Sequence, residues 1–478
     1  MLRSNYVTNS SLYFRVFTEE QCREIHSATL EVLERVGVEI KYPKAVELLK
    51  NAGAYVDGTR VRIPPALVEK CIRSAPSRVA LCDREGTRRI FLENNNSYFG
   101  PGPTVNYTLD PFTGERRLVE ISDTRRASLV MDALPNIDYQ MDFGTARDVK
   151  TEAADVFMFE AMLNNSTKPI VHWGFTAKNY KTMIKMAIEI AGSLQDLQNY
   201  PFLCFYSEPI SPLTHDIDAL EKTMFLAEHM LPCINTPAPL AGATAPATLA
   251  GTMVIANAEC LSSLVVHQLT REGAPYIMGG VTTILDMATT QISYGAPEFN
   301  LMSAGMTNMA QFYRIPMFST AGCSDSKCVD QQMGIDIATN CLMAALSGAN
   351  LIHDVGFIES GISTSLLQMV IADEVIGQVK QIIKGIEVNK ETLAVDLIER
   401  VGPGGHYLTE EHTYENFKKH WWFPTIFNRR RYDFWVAEGK PDLADLAREK
   451  LKEILENHKP KPLEPKTREK ISQIARSV

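Results

Sequence analysis

From about residue 97 onward one rhythm repeats eight times: a short apolar run, a turn, then an amphipathic helix. The apolar runs fall at 98–102, 138–144, 170–175, 202–207, 233–236, 276–281, 317–321 and 351–357. Helical segments follow, among them 151–164, 216–229, 247–271, 298–313, 329–347 and 365–383. Strict strand–helix alternation predicts a parallel sheet with right-handed crossovers. Runs that are apolar throughout, rather than alternating, are strands covered on both faces. Eight such units predict an α/β protein built on a closed (β/α)8, or TIM, barrel over 97–385. An open doubly wound sheet is the rival topology.

Two flanking units complete the chain. Residues 1–96 read as an α/β cap. Thr18 and Gln21 form a capping box, which opens a helix carrying Ile25, Leu30, Leu33 and Val36, and Gly37 stops it. A short helix at 44–52, two strands around an Asp57-Gly58 turn, a helix at 64–75 and alternating runs at 78–84 and 89–93 follow. Residues 386–478 read as a helical extension ending in a Lys-, Glu- and Pro-rich tail.

With 48 Lys and Arg against 57 Asp and Glu, the net charge of −9 lacks the basic footprint of a nucleic-acid binder. A 45% hydrophobic, 22% charged composition excludes a disordered chain. The nine cysteines show no paired spacing, and Cys204, Cys260 and Cys341 sit in apolar segments. Reduced thiols and a cytoplasmic location are expected. The first residues lack an apolar core of the signal-peptide type. The uncharged stretch 230–258 raises the question of a membrane span, but Pro232, Pro237, Pro239 and Pro246 interrupt it. A buried strand–loop–helix unit is expected there, with no membrane contact.

In such barrels chemistry sits at the C-terminal ends of the strands. That rule selects Gly100 to Pro103, Gly144 with Arg147, Trp173 and Phe175, Tyr206 and Glu208, Thr236, Gly280, AGCSDSK at 321–327, and His353, Asp354 and Phe357. Trp173, Tyr206, Phe357 and Tyr98 could surround one cavity, with Glu208 beside them. A quaternary ammonium has no N–H to donate, so ring faces and diffuse negative charge hold it, at about 0.5–2 kcal/mol per ring. Barrel core is the competing reading, and for the set the two stand level. His353-Asp354 reads as an acid/base pair or as a satisfied core histidine. Cys323, Cys328 and His353 lack metal-ligand spacing, so no metal is expected. Lys327 could form a Schiff base, although an ion pair beside Asp325 is the simpler role. VGPGGHY at 401–407 follows a helix rather than a strand, which argues against a phosphate cradle.

The chain resembles the trimethylamine methyltransferase family in its branch without pyrrolysine. The resemblance is carried by IHSATLEVLERVGVEI at 25–40, AGAYVDGTRVRIPPALVEKCIRSAP at 52–76, GPGPTVNYTLDPFTGERR at 100–117 and DALPNIDYQMDFGTARDV at 132–149. TAGCSDSKCVDQQMGID at 320–336 and GPGGHYLTEEHTYENFKKHWWFP at 402–424 extend it. It implies a (β/α)8 barrel that passes a methyl group from a methylated amine to the cobalt of a separate corrinoid protein. The cobalamin-type cofactor then belongs to that cognate partner and is not tightly bound here. Of the strand-end residues, His353 and Asp354 are the expected catalytic pair, and Trp173, Tyr206, Glu208, Phe357, Tyr98 and Arg147 the expected substrate-binding set. Gly100, Gly102, Gly322 and Ser324 would face the corrinoid. Founding members carry pyrrolysine in the mouth, whereas this chain has only standard residues; its counterpart is expected in the 321–327 loop.

Pyrrolysine is thought to bind a free amine as an adduct. A quaternary amine has no lone pair for that, and it already carries a neutral leaving group. Glycine betaine or proline betaine is the expected substrate, with carnitine behind. Arg147, His353 and the amides near Gly322 and Gly356 are the candidate anchors for its carboxylate. A homo-oligomer is expected. A Schiff-base lyase or aldolase and a non-catalytic betaine-binding protein are the alternatives.

Overall fold

The computed structural model describes residues 12–478. Residues 1–11, which hold most of the opening segment and the start of the expected cap, lie outside the described residues.

Seven parallel strands form one sheet, ordered in space as Tyr98–Pro101, Leu351–Val355, Met317–Thr320, Tyr276–Gly279, Cys233–Asn235, Leu203–Ser207 and Ile170–His172. The eighth position, predicted as a strand at 138–144, is reduced to an extended segment. It still bonds to both edges and closes the barrel. On one side the Asp138 N–H donates to the Phe99 carbonyl at 2.7 Å. On the other, Gln140 makes a lone parallel bridge with Ile170. The regular ladder fails because the Asp138 side chain intrudes: its Oδ2 accepts the Phe99 N–H at 2.8 Å while Lys380 Nζ holds the carboxylate.

Alternate residues of the staves point inward. Tyr139, Met141, Val171, Cys204, Ile234, Ile277, Phe318 and Leu351 form one buried cluster, which Val79, Leu81, Ile90 and Leu92 join. Those four come from the hairpin Val79–Cys82 and Arg88–Leu92. The expected small sheet is therefore present, and its apolar face plugs the barrel. The plug lies at the N-terminal ends of the strands.

The capping box forms as expected, with the Gln21 N–H on Thr18 Oγ1 at 3.2 Å and the Thr18 N–H on Gln21 Oε1 at 2.9 Å. Gly37 ends the turn at φ +76, where a Cβ would lie 2.5 Å from the Val61 carbonyl oxygen. Strand Val38–Ile40 pairs both with Arg60–Arg62 and with Thr214–His215 of the barrel region. Leu33, Val61 and Val68 pack in one cluster with Cys260 and Leu264 of helix Leu249–Thr270. Strand Cys233–Asn235 and this helix are the expected strand–loop–helix unit. The helix is long and apolar enough to cross a membrane, yet it is mostly buried between the N-terminal elements and the barrel. At the far end of the chain, helices Leu443–Asn457 and Pro465–Arg476 lie against the outer helices, with Leu451 and Ile471 fully buried.

Candidate active site

The barrel mouth is built from strand ends held in strained backbone. Thr104 and Phe143, just after the first and second staves, adopt φ of +69 and +62, and Asp354, inside the last stave Leu351–Val355, adopts +79. Non-glycine residues pay roughly 1–3 kcal/mol for such conformations and concentrate at functional sites. Asp142, fully buried, closes the second stave. Its Oδ2 accepts the indole N–H of Trp173 at 2.7 Å. Burial pushes its carboxyl up to about 7, against the opposing pull of that hydrogen bond. Trp173 stands edge-on to Phe175, with ring centroids 4.6 Å apart.

Tyr206 and Glu208 continue the wall. Tyr206 lies 6.4 Å from Phe318, and its carbonyl accepts the hydroxyl of Tyr180 at 2.5 Å. The Glu208 side chain stays accessible although protein encloses it, as expected for a group lining a cavity. Burial raises its pKa, which Lys222 opposes; the Lys222 amine donates to the Gly174 carbonyl at 3.0 Å. His353 lies flat on Phe318, with centroids 4.0 Å apart at an interplanar angle of 3°. Its Nδ1–H donates to Asp354 Oδ1 at 2.7 Å, and Nε2 pairs with the Thr320 hydroxyl at 2.9 Å. Both ring nitrogens are thus engaged.

Tyr294 joins this group although the sequence reading missed it. It follows an inserted hairpin, Thr283–Asp286 and Gln291–Ser293, beyond the sixth strand. The strand-end rule does not reach that far. Its amide donates to Asp325 Oδ1 at 2.6 Å. Burial first, then the charge of Asp354, raises its hydroxyl pKa well above the ordinary range, and Glu208 adds to this. Asp142, also missed, belongs to the stave whose regular pattern is broken.

Trp173, Tyr206, Glu208, His353, Asp354 and Phe357 all gather at this end. Tyr98 does not, which corrects the expectation. It begins its strand, so it lies at the plugged end, where its hydroxyl accepts the Phe91 N–H at 3.2 Å and it lines a cleft of about 1000 Å³ with Asp138 and Asn350. Arg147 is exposed and bonded to Asn106, on the rim rather than in the lumen. Gly100 and Gly102 make room for neighbours: a Cβ would lie 2.4 Å from the Tyr139 ring at the first, and 2.2 Å from Asp354 Oδ1 at the second. Gly322 and Ser324 are buried, with the Gly322 N–H on Asn340 Oδ1 and the Ser324 hydroxyl on Asp336 Oδ2, both at 2.7 Å. These four positions therefore offer no open cradle for a corrin ring. Lys327 is exposed, its amine on the Asp325 carbonyl at 2.9 Å, which places the Schiff-base candidate outside the lumen. Cys323 is buried while Cys328 is exposed. No cluster of three or more metal-ligating side chains occurs among the described residues.

Trp173, Tyr206 and Tyr294, with the acids Asp142, Glu208 and Asp354, thus gather at the C-terminal strand ends of an α/β-barrel protein. The chain belongs to the trimethylamine methyltransferase family, whose model, described as Trimethylamine methyltransferase (MTTB), matches residues 2–477. It is 34% identical over 467 residues to the trimethylamine methyltransferase MttB of Desulfitobacterium hafniense, covering 97% of this chain and 92% of that one. It is 30% identical to a glycine betaine methyltransferase of the same species, covering 95% and 94%. The crystal structure of Methanosarcina barkeri monomethylamine methyltransferase aligns with a TM-score of 0.53 over 92% of this chain and 89% of that one. At 12% identity that likeness speaks to the fold alone.

Proposed function

We propose that this chain takes a methyl group from a quaternary amine and delivers it to the Co(I) of a corrinoid carried by a separate partner protein. One observation carries the substrate half: the indole of Trp173, fixed by buried Asp142, faces the same mouth as Tyr206, Tyr294 and Glu208. Ring faces and spread carboxylate charge suit a head group without N–H donors. The glycine betaine methyltransferase relative supports the same reading.

The chain's own part is positional. The hairpin plug and the packed interior exclude water below the substrate. The aromatic wall would hold the nitrogen so that one methyl points outward for in-line attack. When the partner docks, its corrinoid supplies the nucleophile that accepts this methyl. The amine leaves neutral, so no proton transfer is required of the chain. His353, with both nitrogens engaged, then orients Asp354 and the strained strand end. Arg147 on the rim is the anchor we assign to a substrate carboxylate. The free cysteines, eight of nine buried, fit a cytoplasmic setting.

The test is methylation of a reduced corrinoid protein, followed by its visible spectrum, with glycine betaine, proline betaine, carnitine, choline and trimethylamine in parallel. Turnover of the betaines and none of trimethylamine is expected. Robust turnover of trimethylamine would overturn the quaternary assignment, and choline outpacing every betaine would overturn the carboxylate anchor.

A further inference from the structure

Residues 386–436 leave the barrel at the end of helix Leu366–Ile383 and form four short helices, Lys390–Leu393, Val395–Val401, Glu411–His420 and Tyr432–Ala437. Leu397 and Ile426 are the only buried residues in this arm. Of the 27 large hydrophobic side chains exposed among the described residues, 13 lie in it, so the exposure is concentrated rather than scattered. Ile386 is 91% exposed, Leu408 84%, Tyr414 79% and Trp421 61%. A standard stable interface takes about 800 Å² from each partner, and the arm's exposed apolar side chains are dense enough to contribute to one. A segment with so little core of its own needs a permanent cover.

Position argues against the corrinoid protein as that cover. Helix Leu366–Ile383 directly follows strand Ser363–Ser365, which pairs with Phe357–Ile358 just beyond the last stave, and runs about 27 Å away from it. Its far end holds the arm, with Gln381 Nε2 on the His420 carbonyl at 2.8 Å and Lys384 Nζ on the Lys419 carbonyl at 3.3 Å. Ile383 and Lys384 also line the cleft at the plugged end. Trp421 and Phe423 therefore lie far from where cobalt must reach.

Charge argues for a second copy. Residues 386–415 carry seven acidic and two basic side chains, and 416–436 carry five basic and one acidic. The arm is thus complementary to itself when turned around, as a two-fold interface requires. We propose that the arm is the interface of a homodimer, the acidic half of one copy lying on the basic half of the other. Helix Glu411–His420 carries both signs, Glu411 and Glu415 at its start and Lys418 and Lys419 at its end. In the dimer it packs antiparallel to its symmetry mate, with Tyr414 and Trp421 in the apolar centre.

Sedimentation equilibrium of the full chain at micromolar concentration tests this. A dimer of the 53.4 kDa chain is expected. Trp421→Asp with Tyr432→Asp should weaken association at least about a hundredfold, with an unchanged circular dichroism spectrum. Lys418→Glu/Lys419→Glu and Glu411→Lys/Glu415→Lys should each be monomeric alone, and an equal mixture should dimerise again. A monomeric natural chain, undiminished association in the apolar variant, or no rescue on mixing would overturn the proposal. So would a variant that keeps its dimer mass but no longer methylates the corrinoid protein, since the arm would then belong to that partner.

Discussion

Asp142 shows how one residue can serve a site at the expense of stability. Its carboxyl titrates near 7 in the folded chain against an ordinary value of 3.8. Between those values the folded chain keeps a proton that the unfolded chain has lost, so this group makes stability fall as pH rises from 4 to 7. Asp142→Asn removes that loss. Its melting temperature at pH 8 should exceed that of the natural chain, by an amount equivalent to at most about 4 kcal/mol. A bound cation favours the ionised carboxylate, so affinity for a quaternary amine should rise about tenfold from pH 6 to pH 8 and flatten in the variant. Calorimetric titration at both pH values measures this, and an affinity that falls with pH would contradict it. At the neighbouring ring, Trp173→Leu should raise the dissociation constant about thirtyfold, the loss of a desolvated cation–π contact worth about 2 kcal/mol. Unchanged affinity would move the head-group site elsewhere. Trp173, Tyr206 and Glu208 were legible in the sequence because each stands at the end of a regular strand. Asp142 and Tyr294 were not, because one lies on a broken stave and the other beyond an inserted hairpin.

Elements here are tied together by buried polar side chains that the hydrophobic rhythm does not announce. Lys168, just before the third stave, reaches the carbonyls of Met131, Leu134 and Ile137 at the end of helix Ile121–Ala133. Burial lowers its pKa to about 8. It serves as the C-terminal cap that the helix lacks in its own sequence. Lys168→Met would leave three carbonyls unpaired, and a loss of about 2–4 kcal/mol is expected by urea unfolding. The capping box at Thr18 and Gln21 is legible, since it is local in sequence. The plug hairpin was legible as two alternating strands, but its partner is the barrel interior.

At the scale of the whole molecule, the N-terminal elements and the last helix share hydrophobic cores with the barrel. Helix Pro465–Arg476 inserts Ile471 and Ala475, neither accessible, among Phe159, Tyr180 and Met186 of the outer helices. Deleting 460–478 should uncover that cluster, lower the melting midpoint by an equivalent of about 3 kcal/mol and induce binding of a hydrophobic dye. A truncated chain with an unshifted melt would show the tail to be merely attached. The N-terminal elements share a core with helix Leu249–Thr270, so they too should unfold with the barrel.

The sequence by itself determined the repeating α/β architecture and the family motifs. Both depend on residues close together in the chain, where period, capping and motif order carry the information. Only the tertiary structure decided which end of a strand a residue occupies when its boundary shifts by a few positions, as Tyr98 shows. It alone paired Trp173 with Asp142 and His353 with Phe318, set Gly100 and Gly102 against Tyr139 and Asp354, and turned the hairpin into a plug. Those contacts join residues remote in sequence. They are fixed by barrel closure and by the burial of charge, which no local pattern encodes.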